Sequence, residues 1–456
     1  MTDFHASAHA VPIERVDQLV ERFHLAGKPL GEWRIGTEYE KPAVDRRTGQ
    51  AARFSGPRGI ETLLRALAER FGWNPSEEDG RTVALERDGA SITLEPGGQV
   101  ELSGAPWKTL HEADRELQTH VRELVEAARD LNMAFLGLGI QPVSKLEEIE
   151  WVPKPRYAIM GPYMTRVGTL GQRMMKQTAT VQANLDFADE RDAMLKLRTA
   201  QGVSPLINAL FANSSISEGE PNGFTSMRGH IWTDTDRARS GLLPFAFHDD
   251  ASFAHYVEWA LDVPLYFILR NGRYRTDVTG MPFRRFLSEG ASGERATLDD
   301  WDLHLTTLFP EVRLKRFIEI RSADAQSPER VLALPALSKG IFYDADCLGA
   351  AFDLIKRIGY EDCAMLYREA TRDGLAARWG RIKVLEYARE LYAIADEGLR
   401  RQHAVDADGQ DERRYLRCLK EELDEGRSPA EDTLRRWNGE WEQKIGRLID
   451  ATELRT

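Results

Sequence analysis

The chain has 456 residues, of which 42% are hydrophobic and 29% are charged. This is enough apolar material for a large buried core, arranged as one large domain or as two to three small ones. The formal net charge is −12. Such an acidic balance argues against non-specific nucleic-acid binding, because it repels phosphates instead of attracting them.

Three cysteines, Cys347, Cys363 and Cys418, fit neither a disulfide framework nor a CxxC metal site, which indicates a reducing compartment. The N-terminal residues lack the basic patch and the apolar core of a signal peptide. No apolar run approaches the roughly 20 residues of a membrane span. These features predict a cytoplasmic protein that binds neither membranes nor nucleic acids.

In chain order, hydrophobic periodicity and turn residues predict helices at 16–23, 60–72 and 109–131 and strands at 31–40, 82–104 and 134–142. Period-two alternation over residues 174–187 predicts a further strand, and Asp189 is placed to cap a helix over 194–212. Residues 316–324 alternate again, and the chain after Ala345 reads almost entirely as helix. The predicted class is α/β or α+β, with a mixed or antiparallel sheet, flanking helices and a helical C-terminal part.

Acidic and amide side chains recur at every second position in the strand-like segments. Glu38 and Glu40 are two residues apart, which places both on one face of a strand. The same spacing groups further polar side chains on single faces: Gln99, Glu101 and Ser103 after the turn that follows Glu95; Thr180, Gln182, Asn184 and Asp186; and Glu319 with Arg321. Each segment therefore has one face suited to a core and one face that carries acids or amides.

If these faces converge, four or five carboxylates share one cavity and repel one another unless a positive charge neutralises them. Oxygen ligands suit hard divalent cations such as Mg²⁺ or Mn²⁺, whereas His and Cys are too sparse for a zinc cluster. A solvent-exposed strand face would give the same alternation in any one segment. The pattern alone therefore leaves a metal site and an exposed polar surface as alternatives.

Arginines in Gly-rich or polar surroundings add a second set of candidates: Arg228, Arg284 and Arg321. A guanidinium group suits carboxylates and phosphates, although a surface ion pair is the alternative for each residue. The polar segment 212–224 predicts either a mobile lid or a turn. The sequence has no P-loop and no Rossmann glycine motif, so neither of those nucleotide sites is indicated.

Several segments together resemble the plant and proteobacterial type of glutamate–cysteine ligase: GTEYEK, LEPGGQVELSGAP, VGTLGQRMM, TVQANLDF, PNGFTSMRGHIWTDTD, ALDVPLYF, TGMPFRRFL, HLTTLFPEVRLKRFIEIRSAD and NGEW. They run in order from about Trp33 to Trp441, and LEPGGQVELSGAP with SMRGHIWTDTD is a highly specific combination. The resemblance implies one ligase domain over 1–456, with a catalytic core at 25–345 and a helical part at 346–456 packed on it. It also implies a glutamine-synthetase-like fold in which an antiparallel sheet forms an active-site funnel.

The resemblance also implies roles for individual residues. The implied metal ligands are Glu38, Glu40, Glu95, Glu101 and Glu319. The implied nucleotide-binding residues are Gln182, Asn184 and Arg321. Arg321 would face the transferring phosphate, and Arg228 shares the catalytic role. The implied substrate-binding residues are Arg284, Arg228, Met227 and Trp232, of which the last two would form the wall of the cysteine pocket.

The reaction implied by the resemblance uses ATP as co-substrate and two or more Mg²⁺ ions, for which Mn²⁺ can substitute. ATP phosphorylates the γ-carboxylate of L-glutamate, and the amine of L-cysteine then displaces phosphate to give γ-glutamylcysteine, the first step of glutathione biosynthesis. The alternatives are a ligase for a different amine, the same reaction in an ergothioneine-type pathway, a non-catalytic relative, and a phosphotransferase that releases a phosphorylated product. The expected assembly is a monomer or a homodimer.

The sequence departs from the plant members of this family at several positions. Ala179 and Leu332 stand where plant members have regulatory cysteines, so no disulfide switch of the plant kind is expected. The chain also lacks a plastid transit segment, which favours a bacterial cytosolic enzyme. Pro42, Ala43 and the segment MKQTAT border the expected site and differ from the family pattern, which bears on the choice of acceptor amine.

Overall fold

The computed structural model describes residues 11–455. Its strands are β1 (Ile35–Lys41), β2 (Ala43–Asp45), β3 (Asn74–Glu78), β4 (Arg81–Arg87), β5 (Ala90–Leu94), β6 (Val100–Ser103), β7 (Met133–Phe135), β8 (Thr180–Leu185), β9 (Ile216–Ser217), β10 (Glu220–Pro221), β11 (Ser240–Gly241), β12 (Ile268–Arg270), β13 (Arg273–Arg275), β14 (Phe309–Pro310), β15 (Val312–Leu314), β16 (Ile318–Asp324), β17 (Arg378–Trp379) and β18 (Ile382–Lys383). The N-terminal residues 1–10, where the sequence predicts no signal peptide, lie outside the described residues.

The α-helices are α1 (Asp17–His24), α2 (Ile60–Phe71), α3 (Leu110–Ala128), α4 (Pro155–Val167), α5 (Gly171–Gln177), α6 (Glu190–Leu210), α7 (Met227–Trp232), α8 (Phe253–Asp262), α9 (Phe283–Glu289), α10 (Leu298–Thr306), α11 (Pro328–Val331), α12 (Ala333–Phe342), α13 (Ala345–Ile355), α14 (Tyr360–Asp373), α15 (Val384–Gln402), α16 (Arg417–Glu425), α17 (Pro429–Asn438) and α18 (Ile445–Thr452). Short 3-10 helices occupy Leu30–Glu32, Arg129–Leu131, Leu146–Glu148, Pro244–Phe247, Gly374–Ala376 and Glu412–Leu416.

One eight-stranded sheet organises the molecule, in the order β15-β16-β8-β1-β6-β5-β4-β3. Every neighbouring pair in it is antiparallel. Helices pack against this sheet and against one another, with α6 on β16, α12 on β8 and α2 on β4. The prediction of an α/β fold built on an antiparallel sheet with flanking helices is therefore confirmed.

Local sequence explains where the long helices begin. The Thr109 side chain accepts a hydrogen bond from the Glu112 backbone, and the Glu112 side chain accepts one from the Thr109 backbone, which is a capping box at the start of α3. Asp189 accepts a hydrogen bond from the Asp192 N–H at the start of α6, so the predicted cap at Asp189 is confirmed. Helix α3 buries an apolar face, as its periodicity predicts, whereas α6 is buried on all sides from Thr199 to Leu210.

Two predicted strands are shorter in the structure. The alternation over residues 174–187 suggested a continuous strand, but Gly171–Gln177 form helix α5 and the strand begins only at Thr180. In a short segment, periodicity does not distinguish a helix from a strand. The predicted strand at 134–142 is reduced to β7, which pairs with β2 outside the large sheet.

The chain after Ala345 is helical apart from the two-residue pair of β17 and β18. Helices α13, α14 and α15 pack against α6 and α12, so this part is attached to the back of the sheet through those two helices. The division of the chain into one ligase domain with these parts stays a prediction. Within residues 11–455, no helix is both long enough and apolar enough to cross a membrane.

Candidate active site

A cavity of about 760 Å³ opens over one face of the large sheet. Its wall includes side chains from β1, β6, β8 and β16, together with residues from α4, α7 and the β12–β13 hairpin. Eight of the predicted site residues line it: Glu38, Glu40, Glu95, Glu101, Gln182, Arg228, Trp232 and Arg321. The strand register explains this grouping, because Glu38 pairs with Gln182 on one side and Glu40 pairs with Glu101 on the other.

Three carboxylates form a cluster in this wall. Oxygen atoms of Glu40, Glu95 and Glu101 all lie within 4.8 Å of one another. Glu101 accepts hydrogen bonds from the hydroxyls of Thr93 at 2.9 Å and Ser103 at 2.8 Å, which fix its orientation. The backbone N–H of Thr180 donates to Glu40 at 3.0 Å. Hydrogen bonds from neighbouring residues thus hold the acidic cluster in place.

The acidic cluster is electrostatically unfavourable without a cation. Burial raises the pKa of Glu40 well above its ordinary value, and the charges of Glu95 and Glu101 raise it further. Burial and the charge of Glu101 raise the pKa of Glu95 in the same way. Like charges brought together in a poorly solvated place favour either protonation or a bound cation. Three carboxylate oxygens are the ligand type that Mg²⁺ and Mn²⁺ prefer.

A second, cationic cluster surrounds Glu319 on the neighbouring strands. Arg313, directly opposite Glu319 in the β15–β16 hairpin, donates to it at 2.6 Å, and Lys315 lies at 2.9 Å. Arg321 also donates to Glu319. Burial acts to raise the pKa of Glu319, but the charges of Arg313, Lys315 and Arg321 outweigh it and hold the pKa well below its ordinary value.

The surroundings of Glu319 differ from those of the other predicted metal ligands. Its side chain is fully buried, and both carboxylate oxygens are occupied by cationic partners. It also lies outside the cluster formed by Glu40, Glu95 and Glu101. In this structure Glu319 therefore belongs to the cationic cluster, and its role as a metal ligand stays a prediction.

Two arginines of the cavity are joined through strand β16. Arg321 donates to the side chain of Gln182 at 2.6 Å. Arg228 is 3% exposed and donates through Nη2 to the backbone carbonyl of Arg321 at 2.9 Å. Its Nη1 atom has no hydrogen-bond partner among the described residues. Trp232 lies beside both guanidinium groups, about 6 Å from each.

Arg156 is a cavity residue that the sequence analysis missed. It sits in the first turn of α4, is 8% exposed, and donates to the Tyr157 hydroxyl at 3.3 Å. Its Nε atom has no hydrogen-bond partner within residues 11–455. Burial of a guanidinium group with an unpaired N–H costs free energy unless an anion accepts a hydrogen bond from it. No periodic pattern in the sequence around Arg156 predicts its place in the cavity. Arg313 and Lys315 also line the cavity, and their alternation before Glu319 is a signal from which they could have been predicted.

Three other predicted residues do not line the cavity. Asn184 donates to Glu38 at 3.1 Å and supports that carboxylate from the next strand. Met227 is buried in a small apolar cluster with Ile140 and Ile231. Arg284 lies on an exposed face of α9, where it pairs with Asp262 at 2.6 Å and with Glu258 at 2.8 Å. Neither Arg284 nor Met227 is among the residues that line the cavity, and substrate contact by them stays a prediction.

We expect Arg284→Ala to change kcat/KM by less than about two-fold for any substrate, because an exposed ion pair contributes little to stability and this one does not reach the cavity. Steady-state kinetics with each substrate varied in turn checks this. A tenfold or larger rise in the KM of an amino-acid substrate would place Arg284 back in the site.

Comparison with known proteins gives a consistent result. The model of glutamate-cysteine ligase family 2 (GCS2) matches residues 34–451. A chloroplastic glutamate–cysteine ligase of Brassica juncea is 43% identical over 437 residues, which is 95% of this chain and 83% of that protein. The chloroplastic glutamate–cysteine ligase of Arabidopsis thaliana is 42% identical over 442 residues, with 96% of this chain and 83% of that protein covered.

A solved structure shares the fold at much lower sequence identity. Glutamate–cysteine ligase of Francisella tularensis, solved in complex with AMP, aligns with a TM-score of 0.53 and 13% identity, over 92% of this chain and 87% of that one. At this identity the likeness supports the fold alone.

The comparisons also overturn one prediction. The relatives from Brassica juncea, Medicago truncatula, Oryza sativa and Arabidopsis thaliana are all chloroplastic proteins. The predicted cytoplasmic location is therefore wrong by this comparison.

The family match spans the complete candidate site. Residues 34–451 include the acidic cluster, the cationic cluster and every residue predicted to act in the reaction. The relatives extend this match at more than 40% identity over nearly the whole chain. The chain therefore belongs to the glutamate–cysteine ligase family.

Proposed function

We propose that this protein joins the γ-carboxyl group of L-glutamate to the amino group of L-cysteine, with ATP as the energy source and Mg²⁺ as the cation. The product is γ-glutamylcysteine, with ADP and phosphate released, and the reaction is the first step of glutathione biosynthesis. The observation that supports this proposal best is a single cavity with a cluster of three carboxylates and a cluster of cations in its walls. Phosphoryl transfer between a nucleotide and a carboxylate needs both charges close together.

The acidic cluster is the proposed cation site. Glu40, Glu95 and Glu101 would hold Mg²⁺, since their oxygens lie within 4.8 Å of one another and two of their pKa values are raised. Glu38 lines the same wall and extends the site toward strand β8. When bound, Mg²⁺ neutralises negative charge on the phosphate oxygens of ATP.

The cationic cluster is proposed to stabilise the phosphoryl group during transfer. A γ-carboxylate oxygen of glutamate attacks the terminal phosphorus of ATP, and ADP leaves. The transferred phosphoryl group is then part of an acyl phosphate, γ-glutamyl phosphate. Arg321 and Lys315 line the cavity, and both pair with Glu319. Fixed cations placed before the reaction stabilise developing negative charge without a reorganisation cost. Gln182 accepts a hydrogen bond from Arg321 and so sets its direction.

The remaining buried arginines are proposed to bind the α-carboxylates of the amino acids. Arg228 and Arg156 each have a buried nitrogen atom without a partner among the described residues, and both line the cavity. A guanidinium group binds a carboxylate through two parallel hydrogen bonds. Trp232 beside Arg228 gives that part of the wall an apolar surface, which fits a small apolar or thiol-bearing side chain.

In the second step, the neutral amine of cysteine attacks the acyl carbon of γ-glutamyl phosphate. The bond from that carbon to the phosphate oxygen breaks, phosphate leaves, and the nitrogen releases one proton to solvent as the amide forms. A different acceptor amine would use the same acidic and cationic clusters, so the acceptor is the part of the proposal that needs its own test.

We expect glutamate-dependent phosphate release from ATP and Mg²⁺ with cysteine, with γ-glutamylcysteine detected by mass. Serine, alanine and glycine in place of cysteine should react at least about tenfold more slowly. Faster turnover with another amine would overturn the cysteine assignment.

A further inference from the structure

The short helix α7 carries Arg228 and Trp232 to the cavity wall, and two serine hydroxyls hold its first turn. The backbone N–H of Arg228 donates to the Ser214 hydroxyl at 3.0 Å. The backbone N–H of Gly229 donates to the hydroxyl of Ser226, the N-cap residue, also at 3.0 Å. The first N–H groups of a helix have no partner within the helix, so these two bonds set where α7 begins.

One buried carboxylate orients both hydroxyls. Asp324 is fully buried at the end of β16. Its Oδ2 atom accepts from the Ser214 hydroxyl at 2.6 Å and its Oδ1 atom accepts from the Ser226 hydroxyl at 2.9 Å. A hydroxyl has a single hydrogen, so once it donates to Asp324 only its lone pairs remain for the helix. Asp324 therefore forces both serines to act as acceptors toward α7.

The other end of Arg228 is attached to the same strand. Its guanidinium group donates to the backbone carbonyl of Arg321, three residues before Asp324 on β16. Arg228 is thus fixed to β16 at its backbone, through Ser214 and Asp324, and at the tip of its side chain. Asp324 itself is not among the residues that line the cavity.

We infer that Asp324 is a positioning residue for Arg228: through Ser214 and Ser226 it fixes α7 so that the free Nη1 of Arg228 meets the substrate carboxylate. This inference rests on the proposed function, in which Arg228 binds that carboxylate. On this inference Asp324 acts on the reaction mainly through Arg228, so most of its effect depends on the arginine being present.

The test is a double-mutant cycle with Asp324→Asn and Arg228→Lys, measured as kcat/KM for glutamate and for cysteine. Asparagine has the shape of aspartate but only one acceptor oxygen, so it can orient only one of the two hydroxyls. We expect Asp324→Asn alone to lower kcat/KM about tenfold, mainly through a higher KM for one amino acid and with the KM for ATP unchanged. In the Arg228→Lys background, the same change should lower kcat/KM less than about two-fold.

A matched control separates positioning from general destabilisation. Asp186 is also a buried aspartate beyond the end of a strand of the sheet, and it accepts a backbone hydrogen bond from Arg34 at 2.7 Å. Asp186→Asn should have the same effect on kcat/KM with and without Arg228→Lys. If Asp324→Asn fails to fold, Ser214→Ala removes one bond of the same relay and should show a smaller effect, again absent in the Arg228→Lys background.

The outcomes distinguish the inference from the function on which it rests. Equal losses from Asp324→Asn in both backgrounds, or no loss in either, overturn the positioning role of Asp324. An Arg228→Lys variant with unchanged KM for both amino acids overturns the proposed role of Arg228 and the inference with it. Whether the protein forms γ-glutamylcysteine is decided separately, by mass detection of that product.

Discussion

Glu40→Gln is expected to lower kcat/KM by about 100-fold or more while making the metal-free protein more stable to heat. Glu40 lies within the acidic cluster, where burial and the charges of Glu95 and Glu101 raise its pKa well above its ordinary value. A neutral amide removes one unfavourable negative charge from the folded protein, and its oxygen can still accept the Thr180 N–H. The same change removes one ligand of the proposed cation, on which phosphoryl transfer depends.

Thermal unfolding with and without Mg²⁺ measures both effects in one experiment. In the unmodified protein, Mg²⁺ should raise Tm, because a ligand that binds only the folded state stabilises it by mass action. In Glu40→Gln the metal-free Tm should be higher and the rise with Mg²⁺ largely lost. Glu86→Gln, at an exposed position on β4 of the same sheet, is the control and should behave like the unmodified protein. A lower metal-free Tm in Glu40→Gln would contradict the electrostatic argument.

Arg321→Gln should reduce kcat by about 100-fold or more and leave the fold nearly as stable as before. Glu319 would keep Arg313 and Lys315 as partners, at 2.6 Å and 2.9 Å, so no buried carboxylate is left without a cation. What the cavity loses is a fixed positive charge in the wall that also carries Gln182. Removal of one such preorganised donor costs roughly 100-fold to 1,000-fold in other enzymes.

The measurement is kcat with saturating substrates, paired with Tm in the absence of ligands. Arg316→Gln provides the control, since Arg316 is exposed in the turn of the same β15–β16 hairpin and carries the same charge. We expect that variant to keep kcat within about two-fold. If Arg321→Gln lost activity only in proportion to a fall in Tm, Arg321 would be a structural residue.

The sequence predicted best those features that follow from strand geometry. Alternation placed Glu38 and Glu40 on one face, and the register then brought Glu101 and Gln182 beside them on neighbouring strands. The capped starts of α3 and α6 were also predictable, because Thr109 and Asp189 act within their own turn. In both cases the outcome depends on residues that are close in the sequence or on a strict period of two.

Features that depend on distant partners were beyond the reach of the sequence. Arg284 occurs in a segment typical of the family, yet it lies at the surface and pairs with Glu258 and Asp262 of α8. Glu319 lies on an alternating strand, as the proposed metal ligands do, but Arg313 and Lys315 pair with its carboxylate. Arg156 reaches the cavity from the first turn of α4, and nothing in its neighbours predicts where that helix packs.

The most direct test of the proposed reaction uses glutamate with ¹⁸O in its γ-carboxyl group, together with ATP, Mg²⁺ and cysteine. If the cavity activates glutamate as an acyl phosphate, one labelled oxygen must pass to the released phosphate, and the γ-glutamylcysteine formed must retain only one. Mass detection of both products gives the answer in a single experiment. Unlabelled phosphate, or phosphate release without γ-glutamylcysteine, would contradict the proposed ligase reaction.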